Sequence, residues 1–253
     1  MAALALWVLG YGDQALQRIH TAVTLAQGLS HQFSLAGALL FVAWLHHFRR
    51  EGQESQDWAK AGLTLSREQG FPFWLAWGTI LRGWALAELG QGEEGIAQMR
   101  QGLAGLQATG AELVWPYILA KLAQAYGTVG SPEDGLPLLA EALAVADKTG
   151  EHWGEAELYR LKGSLLLQPK AQRPRAKVEE EAEECFLKAI AIARRQSAKS
   201  LELRAIMSLS RLWQQQGKKA EARQMLAEIY GWFTEGFDIK DLREAKELLE
   251  ELN

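Results

Sequence analysis

Small residues recur along this 253-residue chain at an almost constant interval. Ala15, Ser55, Gly95, Gly135, Ala182 and Ala222 follow one another by 40, 40, 40, 47 and 40 residues. A second series, Ala3, Ala43, Gly83, Ala123, Gly163 and Ser210, steps by 40 four times and then by 47. A third, Ala22, Gly62, Gly102, Ala142 and Ala189, keeps the same beat. A period of this size marks a stacked-repeat architecture, in which each unit hides its apolar face against its neighbours.

Within one period the apolar pattern is helical twice over. Leu75, Ile80, Leu81, Trp84, Leu86 and Leu89 stand at helical spacing, the Gly90–Gly92 turn interrupts them, and Ile96, Met99, Leu103 and Leu106 carry a second helix to Gly110. The following unit repeats this over 117–130 and 136–150, the second unit over 35–48 and 58–70, and the sixth over 203–216 and 220–230. The small residues then mark where the two helices of a hairpin cross, since a larger side chain would force them apart. Ser131 reads as an N-cap followed by proline and two acids, while Pro137 predicts a late helix start or a bend. Seven extra residues near 168–176 are rich in proline and basic side chains and predict an exposed loop, ahead of an acidic run from Glu179 to Glu184 that opens the next helix. The expectation is therefore an all-α, right-handed α-solenoid of about six helix pairs over residues 1–237, the first pair truncated, with a capping helix over 238–253. Asp238 is expected to cap that last helix, with Ile239, Leu242, Ala245, Leu249 and Leu252 on one face. By register Ala3 already lies inside a helix, so an upstream region is expected, whereas the polar-backed last helix reads as a natural end.

Composition narrows the partners. Apolar residues make up 48% and charged residues 23% of the chain, a balance of folded rather than disordered proteins. A net charge of −4 argues against a nucleic-acid or anionic-membrane surface over the whole molecule. Cys185 stands alone in an apolar helical pattern, so a buried thiol in a cytoplasmic protein is expected. The apolar start at Met1 lacks the basic segment of a signal peptide and keeps the repeat register.

These repeats resemble the tetratricopeptide family, whose small–small–small signature is met by Gly83, Gly95 and Gly102 and by Ala123, Gly135 and Ala142. The units are longer than the family's usual length of about 34 residues. Such long arrays look like the C-terminal regions of large bacterial signalling ATPases and of adenylate-cyclase and LuxR-type regulators, and the segment from Tyr230 to Leu252 is similar to their closing stretch. The resemblance implies a concave groove lined by the first helix of each unit. Its positions here are Trp44, His47, Phe48, Trp77, Trp84, Tyr117 and Gln124 in the N-terminal half, and Arg160, Arg204, Arg211 and Gln215 in the C-terminal half. The groove is thus expected to be aromatic at one end and basic and amide-rich at the other.

Catalytic signatures are weak by comparison. Gly90, Gly92 and Gly95 form a literal G-x-G-x-x-G, but a helix precedes it where a nucleotide fold needs a strand. Gly217-Lys218-Lys219 lacks the rest of a P-loop, the five histidines form no His-x-x-x-His pair, and no nucleophile-elbow motif occurs. The chain therefore reads as a non-catalytic module without cofactor or metal. Its expected partner is a protein or peptide, including upstream domains of a larger signalling protein, anchored by Trp44, Trp77, Trp84 and Tyr117. Arg160, Arg204 and Arg211 would take an acidic group, as guanidinium forks match carboxylates, and Arg204 and Arg211 are expected to be dispensable for folding. The alternatives are a small-molecule inducer site inside the superhelix around Trp77, Trp84, Tyr117 and Gln124, or a bare structural spacer. The uncapped first repeat is a candidate homodimer surface.

Overall fold

The computed structural model describes residues 1–111, 114–168 and 174–253. Among them lie thirteen α-helices and no strand. They pair in order: α1 (Ala2–Val8) with α2 (Gly12–Gly28), α3 (Gln32–Arg49) with α4 (Gly52–Gln69), and α5 (Pro72–Glu88) with α6 (Gly92–Ala108). Then follow α7 (Trp115–Thr128) with α8 (Pro132–Thr149), α9 (Glu155–Leu166) with α10 (Arg175–Arg195), and α11 (Lys199–Gln215) with α12 (Lys219–Tyr230). A thirteenth helix, α13 (Lys240–Glu251), packs on α11 and α12. The architecture is an α-solenoid of six antiparallel helix pairs and a terminal helix.

A half-period of 20 residues controls the turns. From residue 10 to residue 150, every twentieth position has a left-handed backbone: six are glycines, and the two exceptions are Ser30 and Arg50. The left-handed C-cap lets the last helical carbonyls find donors before the chain reverses, and glycine adopts it without a Cβ clash. Arg50, at φ 61°, holds the same conformation at a steric cost.

The small residues sit at helix crossings. A Cβ on Gly83 would stand 2.7 Å from the backbone oxygen of Gly95, and one on Gly95 2.5 Å from that of Gly83. Ala15, Ala43, Ala123, Ala142, Ala182, Ala189 and Ala222 are fully buried, and Ser55 and Ser210 use their hydroxyls to bond Ala43 O and Ala222 O across the same crossings.

Three local expectations are corrected. Helix α8 begins at Pro132 and runs through Pro137 without a late start, and Ser131 occupies the N-cap position without a side-chain capping bond. Asp238 does not cap α13, whose N-cap is Ile239; it pairs with Arg49 instead. The long insertion falls largely on residues 169–173, outside the described residues, but residues 175–177 belong to α10 rather than to the loop. No helix among the described residues is long and apolar enough to cross a membrane.

The superhelix also folds back on itself. Trp7 of α1 stacks on Phe48 at 4.6 Å, and Ser200 of α11 donates to Trp7 O at 2.6 Å. Glu235, just before α13, accepts from the N–H groups of Asp13 and Gln14 at the start of α2 (3.0 and 3.2 Å), where the positive end of the helix favours a carboxylate. First and last units, more than 190 residues apart in sequence, therefore touch, and the inner face becomes an interior.

Gly83→Leu, and already Gly83→Ala, is expected to force α5 and α6 apart and to lower stability by about 1–3 kcal/mol. Gly28, at the end of α2, has open space around its Cβ position, so Gly28→Ala should be neutral or raise stability by about 0.5–1 kcal/mol. Thermal melts of the two alanine variants test the contrast.

Candidate functional site

The apolar core falls into two blocks. One gathers α1 through α9 together with Ile192 and Ala193 of α10 and Leu201 of α11, and the other gathers the remaining core of α10 through α13. The inner helices meet between them in a charged cavity of about 140 Å³. Its wall takes His47 and Arg50 from the end of α3, Trp84 from α5, Lys121 and Gln124 from α7, and Glu157 and Arg160 from α9. Met207, Ser208, Arg204 and Arg211 come from α11, and Asp241 and Glu244 from α13. One helix per unit supplies its inner face, so repeat stacking alone brings these side chains to one place.

The charges are interlocked. Glu157 is buried and accepts from Lys121 Nζ at 2.9 Å and from Arg160 Nε and Nη2 at 2.7 and 2.8 Å. Asp241 accepts from Arg204 Nε at 2.6 Å and Arg50 Nη1 at 3.1 Å. Glu244 takes Arg50 at 2.9 Å and the outer Arg211 at 3.2 Å. Arg204 also donates to Phe48 O and lies 4.7 Å above the Trp7 ring, so one guanidinium ties α11 to α13, α3 and α1. Burial opposes the charge on Glu157, but Arg160 and Lys121 outweigh it and hold the carboxyl well below its ordinary range. Burial, helped by the nearby Lys121 and Arg204 charges, pushes the His47 pKa well below 6.5. His47 is therefore neutral, with Nε2 hydrogen-bonded to Tyr117 Oη at 2.5 Å. Burial and then the Glu157 charge push the Tyr117 phenol well above 10.

The residues expected in the groove divide into two sets. His47, Trp84, Gln124, Arg160, Arg204 and Arg211 line the cavity. Trp44, Phe48, Trp77 and Tyr117 lie instead in a packed aromatic cluster beneath it: Trp44 meets Trp77 at 4.8 Å and Tyr117 at 5.9 Å, and Tyr117 meets Phe48 at 5.5 Å and Trp153 at 5.0 Å. All four are buried, so they are core rather than open anchors. Longer helices leave more area between units, and the folding-back of α1 and α11 covers what remains. Gln215 is exposed at the end of α11, away from the cavity. Arg204 is buried and bonded twice, which corrects the expectation that it is dispensable for folding.

Sequence reading missed Arg50, Lys121, Asp241 and Glu244. Lys121 left a signal, as a lone cation in the apolar run from Trp115 to Ala125. Arg50 left another, standing where the 20-residue register otherwise favours glycine. Asp241 and Glu244 left none, because acids at the start of a terminal helix are ordinary. His46 is buried and bonded to Glu51 at 2.6 Å, and Cys185 is buried, with burial raising its thiol pKa. Among the described residues no group of three or more His, Cys, Asp or Glu side chains is placed to hold a metal.

Two outcomes follow for stability. His47 and Glu157 both have depressed pKa values in the folded state, so their contribution is complete above the unfolded values and fades as pH falls. Melting temperature should drop from neutral pH through 6.5, where unfolded His47 begins to take a proton, and again below 4.5, and His47→Gln should remove the first drop. Arg204→Ala leaves buried Asp241 with Arg50 alone and removes the bond to Phe48 O, so it should cost about 3 kcal/mol, whereas Arg211→Ala, at a side chain 47% exposed, should cost under about 1 kcal/mol.

No protein-family model and no curated protein matches this chain. Among solved structures, the chain is similar to the TPR2AB domain of yeast Sti1, determined as a complex with pHSP90. The two are 15% identical and superpose with a TM-score of 0.39 over 99% of this chain and 95% of that one.

Proposed function

We propose that this chain is a non-catalytic recognition module: a helical-repeat receptor that takes a small ligand in the charged cavity at the centre of its folded-back superhelix. The observation that carries this reading is the enclosure of the inner face. Its aromatic residues pack against one another, with Trp44 and Phe48 also bordering an apolar pocket of about 440 Å³ beside α1, and the charged space among the inner helices, about 140 Å³ walled by charged and amide side chains, suits a small molecule or a single acidic side chain rather than an extended peptide. Its convergent polar groups and perturbed titratable residues support it as a binding site. Within a larger protein such a module would serve as a sensor arm, a role supported by the resemblance of its long repeats to the C-terminal regions of bacterial signalling ATPases, and it would then be cytoplasmic.

A protein partner is the second reading, and a specific observation favours it. Leu25 and Leu29, 64% and 65% exposed, stand one turn apart at the end of α2, and the half-exposed Phe33 opens α3. Apolar side chains grouped in this way commonly mark a protein contact.

Tryptophan fluorescence of the purified chain, titrated with a metabolite panel and then with a random peptide pool, separates the readings. Saturable quenching by a metabolite, lost in Trp84→Phe, is the expected result. A response to peptides alone, abolished by Leu25→Glu with Leu29→Glu and unchanged by Trp84→Phe, would replace the cavity with the outer surface.

A further inference from the structure

We infer that the central cavity binds a small dianion of the phosphate class, held by arginine N–H groups that the protein leaves unused and displacing Glu244 from Arg50 and Arg211. The inference rests on the reading of the cavity as the ligand site and names the chemistry of its occupant.

Charge is the first argument. The wall carries five cations, Arg50, Lys121, Arg160, Arg204 and Arg211, against the three carboxylates Glu157, Asp241 and Glu244. With His47 neutral, the balance is two positive charges around a small space. A phosphate monoester carries about −1.5 to −2 charges at neutral pH and neutralises that excess in one group.

The balance of donors and acceptors is the second. A guanidinium has five N–H donors and no acceptor. Arg160 spends Nε and Nη2 on Glu157, and Arg204 spends Nε on Asp241 and Nη2 on Phe48 O, leaving Nη1 of both without a partner among the described residues. Arg211 uses only Nη2. Both oxygens of Glu157 and of Asp241 are taken. Of the wall's carboxylate oxygens only Glu244 Oε1 stays unbonded among the described residues, so free donors outnumber free acceptors, and a tetrahedral oxyanion supplies acceptors in several directions at once.

Two further observations point to an occupant. His47 and Trp84 both line the cavity at 4% and 3% exposure, and His47 Nδ1 and Trp84 Nε1 have no partner, although a buried polar atom left unbonded is costly. Arg50 holds a left-handed backbone at a position where glycine would be unstrained, so the chain keeps a cation there against its conformational preference. Glu244, from the last helix, bridges Arg50 and Arg211 with a single oxygen. That is the place a phosphate oxygen would take.

Calorimetric titration of the full chain with inorganic phosphate and with glycerol 3-phosphate at fixed ionic strength tests this, with succinate and a neutral metabolite panel as controls. Saturable binding of the monoester is expected, weakened about tenfold in Arg211→Gln by loss of one charge-assisted contact and tightened several-fold in Glu244→Gln, which removes the internal competitor. Equal affinity for inorganic phosphate would identify the free anion as the ligand, and tighter binding of the ester would identify an esterified one. Thermal melts of both variants confirm folding. A folded protein that binds neither phosphate, or a folded Glu244→Gln variant that binds no tighter, overturns the inference. Binding of a neutral metabolite lost in Trp84→Phe, with no response to phosphate, overturns only the anion and keeps the ligand cavity. Silence toward every small molecule removes both.

Discussion

The contact on which the rest of the molecule depends is made by one guanidinium. Arg204 reaches from the inner face of α11 to Asp241 on α13 and to the backbone carbonyl of Phe48 on α3, while its plane covers Trp7 of α1. A stacked-repeat array has no intrinsic reason to close, because each unit needs only its neighbours. Here the buried Arg204–Asp241 pair joins α11 to the last helix, and the bond from the same guanidinium to Phe48 O ties both to the second unit. Such a pair gives little net stability over an apolar contact, but removal of one partner leaves a charge without compensation. It therefore acts as a register device more than as glue, fixing how far the superhelix winds.

Closure changes the meaning of the inner face. Aromatic side chains that would line a groove in an open array meet each other across the axis, with Trp44, Trp77, Phe48, Tyr117 and Trp153 forming a continuous cluster. Apolar surface that would have faced water is buried, and the charged residues of α7, α9 and α11 are brought opposite the acids of α13. The polar cavity is what remains where the two apolar blocks do not join. Arg50, Arg204, Glu157, Asp241 and Glu244 are each held by two partners, a preorganisation that recognition of a small charged ligand requires.

Legibility in the sequence followed the range of the interaction. The 40-residue period, the crossing positions and the 20-residue beat of helix ends depend on neighbours within one unit, so side-chain size and backbone preference write them directly into the chain. Gly83 and Gly95, each against the other's backbone, are the clearest case. His47, Trp84, Gln124, Arg160, Arg204 and Arg211 were assignable to the inner face by carrying over, position by position, the pattern of the family that the repeats resemble. Whether that face was open or filled was not, since Trp84 and Trp44 occupy equivalent positions in successive units, yet one borders the cavity and the other is core.

By itself the sequence determined the fold class, the pairing of helices and the set of side chains pointing inward, because a strict repeat allows one way to bury each apolar stripe. Only the tertiary structure decided that the array folds back, that Asp241 and Glu244 meet the arginines of α3 and α11, and that the inner face holds a charged cavity in place of a groove. The contacts to Arg50 join residues 191 and 194 positions apart, and those to Arg204 and Arg211 span 37 and 33. No local preference encodes them, and they exist only once the small rotations between successive units have accumulated to bring the two ends together.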